Sequence, residues 1–234
     1  MDFEEIKSDI IDIINSKTKI VDKDRLPDLE DDTFTYGNGV RTWVGSIFVD
    51  IRNSSEMFKE ENSEKLARVM RAFSSGIIKI LKTNSNYRQI GIRGDCVYGI
   101  FTIPNQDATY KMFDLAIQIN TFLKLYNKVL MENSFEPLVA GIGVGMGKDL
   151  VIKAGLKQTG INDMIWIGDA VVDASNLCGK AKSISSSPIL LSSTVHKNII
   201  DKWNQKNSDS KKWFTYNSIL QCYECDIYKT GWDE

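Results

Sequence analysis

Thr42-Trp43-Val44-Gly45-Ser46-Ile47-Phe48-Val49-Asp50-Ile51 is a mostly apolar, β-rich run that reaches a carboxylate, and Arg52-Asn53-Ser54-Ser55 follows at once. So apolar a run reads as a buried central strand. Ser54 and Ser55 offer N-caps to a long helix. Its apolar stripe holds Leu66, Val69, Met70, Phe73, Ile77, Ile80 and Leu81, the spacing of one buried face.

Working outward toward the C-terminus, residues 88–93 and 96–101 are short strand-like runs joined through Gly94-Asp95, a dipeptide suited to a tight hairpin. Pro104 closes the second run. Met112, Leu115, Ala116, Ile119, Phe122, Leu123 and Tyr126 mark a helix over residues 109–129. A Gly-rich strand is expected over 137–147, with residues 150–155 as its partner. The order β-α-β-β-α-β predicts an α+β fold with a ferredoxin-like split βαβ core, a mainly antiparallel sheet and flanking helices. Beyond the core, residues 164–169 lead into a helix over 170–182, then a strand at 188–191, a helix at 194–203 and a closing strand at 222–229.

Toward the N-terminus, Phe3, Ile6, Ile10, Ile13 and Ile14 form a helical stripe that calls for a packing partner. Residues 21–40 are polar, with Pro27 and Gly37-Asn38-Gly39, and read as a lead-in. Residues 1–40 are therefore taken as an N-terminal helix and lead-in, and 41–234 as one domain.

Composition removes several classes of function. Lys and Arg number 29 against 31 Asp and Glu, so no basic excess exists to hold nucleic acid. Apolar runs are far shorter than a membrane helix needs, and the acidic Met1-Asp2-Phe3-Glu4-Glu5 start does not resemble a signal peptide, so a cytoplasmic protein is expected. His196 is the one histidine and reads as a surface residue at a helix start, which leaves little for multi-histidine metal or Ser-His-Asp chemistry. Cys222 and Cys225 sit in an alternating, strand-like stretch and read as reduced structural thiols.

Two carboxylates carry the chemistry. In a split βαβ order the end of the first strand lies beside the hairpin turn, so Asp50 and Asp95 converge. Each alone has an ordinary use, Asp50 as a helix cap and Asp95 as a turn residue. Placed together they repel unless a cation lies between them. Mg2+ and Mn2+ take such oxygen ligands, and one or two carboxylates plus substrate oxygens commonly hold them at phosphate sites. Arg52, Asn53, Ser54 and Ser55 then stand where a strand turns into a helix, a place that favours polyphosphate. A two-metal phosphate site is the reading.

The residues resemble the catalytic domain of class III nucleotidyl cyclases. The resemblance runs through Phe48-Val49-Asp50-Ile51-Arg52-Asn53-Ser54-Ser55, Arg93-Gly94-Asp95, Gly141-Ile142-Gly143-Val144-Gly145 and Trp166-Ile167-Gly168-Asp169-Ala170-Val171. It implies a homodimer with shared active sites that makes a 3′,5′-cyclic nucleotide from a nucleoside triphosphate and releases pyrophosphate. Asp50 and Asp95 would bind two Mn2+ or Mg2+ ions, with help from the Ile51 carbonyl.

Departures from the family pattern concern the base. The positions where purine cyclases carry a Lys or Glu and an Asp hold Gly91 and Ile165 here, and the helical Asn and Arg fall on Val172 and Asn176. Residues 47–55 are similar to those of bacterial anti-phage pyrimidine cyclases. That likeness implies UTP or, second, CTP as substrate, and a downstream cyclic-nucleotide effector protein as partner. Tyr36 and Trp43 are candidates to fill the space of a purine. Asn176 and Lys180, on one helical face, are candidates for ribose and triphosphate contacts. Two other readings stay open: an adenylate or guanylate cyclase with a rebuilt base pocket, and an inactive cyclase-fold nucleotide sensor.

Overall fold

The computed structural model describes residues 2–28, 34–54, 63–156 and 159–231. Among them one large sheet is sandwiched between helices. In chain order come α1 (Phe3–Asn15), β1 (Lys19–Asp22), β2 (Asn38–Ile51), α2 (Ser63–Leu81), β3 (Tyr87–Arg93), β4 (Cys96–Thr102) and α3 (Gln106–Glu132). Then follow β5 (Ala140–Gly155), β6 (Asn162–Ile167), α4 (Asp169–Lys180), β7 (Ile189–Leu191), α5 (Ser193–Lys206), a 3-10 turn, β8 (Thr215–Asn217) and β9 (Cys222–Cys225).

The strands run β3-β4-β2-β5-β7-β9-β8, with β1 added to β2 and β6 to β5. Pairing is antiparallel except at β1–β2 and β5–β7. The expected α+β fold and split βαβ core are therefore present, with β2 central between β4 and β5.

Period-two alternation decides which side of β2 does what. Ile47, Val49 and Ile51 join a core with Val69, Phe73 and Ile77 of α2 and Met112, Ala116 and Ile119 of α3. Phe73, Ile77 and Leu81 are fully buried, roughly 2 kcal/mol of transfer free energy each. Phe48 and Asp50 take the opposite face and stay half-buried, so β2 is not covered on both sides at this end as its composition suggests. The hairpin forms as expected, with Arg93 opposite Cys96 and Gly94 at φ 64°.

Helix α4 packs on β5 on that side of the sheet, and the alternating glycines of β5 are what admit it. A Cβ on Gly141, Gly143 or Gly145 would lie 2.6, 2.0 and 2.2 Å from the carbonyl oxygens of Ala181, Ala174 and Ala170. The glycines are a bed for a helix backbone. Ser46 adds a hydroxyl donated to the Ala170 carbonyl at 2.6 Å.

Four sequence readings need correction. Residues 140–155 form one continuous strand rather than two paired ones, because the in-and-out alternation persists through Lys148-Asp149; the partner of its second half is β6. The lead-in is tied to the domain: β1 pairs with β2, and Leu26 is fully buried, its N–H donating to Thr102 Oγ1. The closing strand ends at Cys225, and β8 pairs with it. His196 lies stacked on the Tyr223 ring at 3.5 Å instead of on open surface, and burial lowers its pKa. Among the described residues, the stripe of α1 is not covered, and none of its residues is buried.

Candidate active site

Antiparallel pairing of β2 with β4 puts Val49 opposite Val97 and so brings Asp50 alongside Cys96, one residue from the hairpin's Asp95. Burial first, and the charge of Asp95 second, push the Asp50 carboxyl above its ordinary value, against the pull of Arg52. Asp95 is half-buried in its turn. The structure thus gathers the two expected carboxylates. Ile51, beside Asp50, is buried opposite Ala140.

Arg52 has a different position from the one its charge suggests. One guanidinium nitrogen donates to the Asp50 Oδ2 at 2.9 Å and to the Asp50 carbonyl at 3.1 Å. Another donates to the Gly179 carbonyl at 3.0 Å, near the end of α4. Arg52 therefore ties the carboxylate strand to the helix on its far side. Asn53 is exposed in the left-handed region at φ 56°, and Ser54 opens a helical turn. Ser55 lies outside the described residues.

From Asp50 a cleft of about 600 Å³ extends across the α4 face. Cys96 and Cys178 line it beside Asp50; burial above all pushes the Cys96 thiol up to about 12 and raises that of Cys178. Farther along, Tyr98 stacks on Phe48 at 5.2 Å and 15°. A Cβ on Gly91 would fall 2.5 Å from the Tyr98 ring, so this tyrosine fills the space a side chain at position 91 would need. At the far end Gln89 bridges Trp166 and Asp163.

Sequence reasoning missed this far wall. Its signal is weak, because β3 and β6 are remote in the chain and do not pair. The aromatics it favoured lie elsewhere: Trp43 is seven residues before Asp50 on the same strand, about 23 Å at ~3.3 Å per residue. Tyr36 precedes β2 and has Lys153 over its ring at 5.9 Å. Neither lines the cleft. Asn176 is exposed and Lys180 half-buried on α4, one face round from Val171 and Ser175, which line the cleft.

Beneath α4, Asp149 of β5 is fully buried and accepts the Ala170 N–H at 3.3 Å, capping the helix from a neighbouring strand. A Cβ on Gly168, at φ 156°, would strike its carboxylate at 2.2 Å. Burial pushes the Asp149 carboxyl up to about 6. Among the described residues no three His, Cys, Asp or Glu side chains gather as a metal site, and no helix is long and apolar enough to cross a membrane.

Fold and carboxylate pair together are those of a nucleotidyl cyclase domain. Residues 41–206 match the adenylate and guanylate cyclase catalytic domain, and the chain belongs to that family. It is 40% identical to a uridylate cyclase of Treponema porcinum over all of this chain and 80% of that protein. A uridylate cyclase of Gulbenkiania mobilis is 33% identical, over 94% of this chain and 86% of that protein. In fold it is similar to the adenylyl cyclase CyaB of P. aeruginosa, with 22% identity, a TM-score of 0.58 and coverage of 70% of this chain and 83% of that one. A class III adenylyl cyclase-like ATP-binding protein from Pseudomonas aeruginosa gives a TM-score of 0.67 at 18% identity, covering 83% of this chain and 43% of that one.

Proposed function

We propose that the chain converts a pyrimidine nucleoside triphosphate, UTP ahead of CTP, to the 3′,5′-cyclic monophosphate and pyrophosphate. The observation that carries the reading is the convergence of Asp50 and Asp95 at one end of a nucleotide-sized cleft. Two features support a pyrimidine: Tyr98 stands in the space of a side chain at position 91, and both curated relatives are named uridylate cyclases.

The residues fit divalent cations. Their donors are hard oxygens, and the Asp50 carboxyl is raised first by burial and second by the charge of Asp95, both of which a bound cation would offset. Asp50 and Asp95, with the Ile51 carbonyl, would hold two Mn2+ or Mg2+ ions. When bound, such ions supply acidity to the ribose 3′-hydroxyl and neutralise charge on the triphosphate.

The chain's own groups do the positioning. Arg52 fixes the Asp50 carboxylate against α4, and Asn53 and Ser54 follow it at the end of β2 as candidate phosphate contacts. Asn176 and Lys180, outside the cleft of their own chain, reach a nucleotide held by the second copy of a homodimer with shared sites. The cyclic product would serve as a cytoplasmic signal to an effector protein in anti-phage defence, a role supported by the resemblance of residues 47–55.

Purified protein incubated with Mn2+ and ATP, GTP, CTP or UTP, with products resolved by mass spectrometry, tests the proposal. Cyclic UMP or cyclic CMP is expected. A cyclic purine product would overturn the base reading and keep the metal site; nucleotide binding without pyrophosphate release would make the chain a sensor.

A further inference from the structure

The far wall of the cleft is closed by one side-chain bridge between strands that do not pair. Gln89 of β3 accepts the Trp166 indole N–H of β6 on its Oε1 at 2.7 Å. Its Nε2 donates to Asp163 Oδ1 at 3.2 Å, and the same carboxylate oxygen accepts the Met164 N–H at 2.7 Å. All three side chains line the cleft.

The bridge decides which way the amide points. An indole N–H can only donate and an ionised carboxylate can only accept, so turning the amide over would set donor against donor and acceptor against acceptor. The orientation is locked. After these two bonds the amide keeps one unused lone pair and one unused N–H for whatever enters the cleft.

Uracil and cytosine differ in the order of those same two functions. Uracil offers an N–H at N3 beside a carbonyl oxygen at C4; cytosine offers an acceptor at N3 beside an amino group at C4. A freely turning amide would pair with either base by flipping. A locked one pairs with a single order and leaves the other base with donor facing donor, so the wrong base loses the hydrogen bonds the right one makes. Adenine shares cytosine's order and is rejected with it. Guanine shares uracil's, and its extra ring meets Tyr98 instead.

We infer that Gln89, oriented by Trp166 and Asp163, is the specificity-determining residue that separates uracil from cytosine at this site. The inference rests on the cyclase reading and adds the group that chooses the base. Gln89 stands four residues along β3 from the hairpin end at Arg93, about 13 Å at ~3.3 Å per residue. That separation sets the amide well away from the carboxylates of its own chain. In a dimer with shared sites, the Gln89 of one copy serves the carboxylates of the other.

The test is kcat/KM for UTP and CTP, measured for the wild-type protein, Gln89→Leu, Gln89→Met and Trp166→Phe. Either Gln89 variant should lose about 10- to 100-fold on UTP and bring the UTP/CTP ratio close to one. Trp166→Phe keeps ring bulk and removes the lone donor, so its ratio should fall through a better KM for CTP while kcat on UTP holds within about threefold, the signature of a positioning residue. An unchanged ratio in a Gln89 variant that melts at the wild-type temperature overturns the inference. Should the wild-type protein cyclise no nucleotide, the function proposed above fails by itself. The inference is then decided by equilibrium dialysis of UTP and CTP with Ca2+: discrimination lost in Gln89→Leu supports it, and equal wild-type affinities refute it.

Discussion

The two ends of the cleft solve recognition with opposite chemistry. At one end Asp50 and Asp95 crowd negative charge together, with Arg52 clasping one carboxylate oxygen. At the other, Gln89 and Trp166 hold a network in which a single carboxylate serves only as an acceptor. On the proposed reading the charged end would act on any nucleoside triphosphate, since all share ribose and phosphates, and the hydrogen-bonding end would tell one base from another. Power and choice would thus be built separately, with the Asp95 turn at one end of β3 and Gln89 toward the other.

Substitution at the charged end should have the largest effect. Asp50→Asn should lower cyclase turnover by at least on the order of 10³-fold, several kcal/mol of transition-state stabilisation. Its thermal midpoint should stay near the wild type, because the amide oxygen still accepts from Arg52. Base preference, measured as relative nucleotide affinity, should survive in the same variant. Loss of preference along with turnover would erase the division between the two ends.

Next comes the seam that holds both ends in register. Gly143→Ala sets a Cβ 2.0 Å from the Ala174 carbonyl and should cost about 2–3 kcal/mol in urea unfolding. Gly179→Ala, with nothing within 4 Å of its Cβ, should be neutral or gain up to about 1 kcal/mol. Equal effects at the two sites would refute the close docking of α4.

Asp149, under the start of α4, tests the seam by pH. Its carboxyl is raised in the folded protein to about 6, so the fold favours the protonated form. Its contribution to stability is greatest below the unfolded value near 4 and is lost as pH rises through about 6. Asp149→Asn removes that dependence. The variant should therefore gain on the wild type between pH 4 and pH 7 by on the order of 1–3 kcal/mol, read from urea midpoints. A variant that fails to gain on the wild type as pH rises over this interval would contradict the buried-carboxylate account.

The smallest effect belongs to α1. Deleting residues 2–16 removes no buried side chain and should shift unfolding by no more than about 0.5 kcal/mol.

Legibility followed chain distance. The strand ending in Asp50, the helix stripe through Phe73 and Ile77, and the Gly94-Asp95 hairpin are short-range patterns, and each forms where its residues indicate. The charged end of the cleft needed only these plus strand order. Burial of Leu26 was hidden inside a polar stretch, because one apolar residue carries no period. The unity of β5 was obscured by Lys148-Asp149, whose buried carboxylate caps a helix rather than marking a turn.

What the residue order alone determined is therefore the α+β core, the family and the meeting of Asp50 with Asp95, since periodicity, turn chemistry and strand succession act over a few residues at a time. Tertiary structure alone decided that the glycines of β5 are a bed for α4, that Tyr98 occupies the space above Gly91, and that Gln89 is locked by Trp166, 77 residues away. Those are matters of complementary shape and donor-acceptor order between surfaces that touch only once the chain has folded.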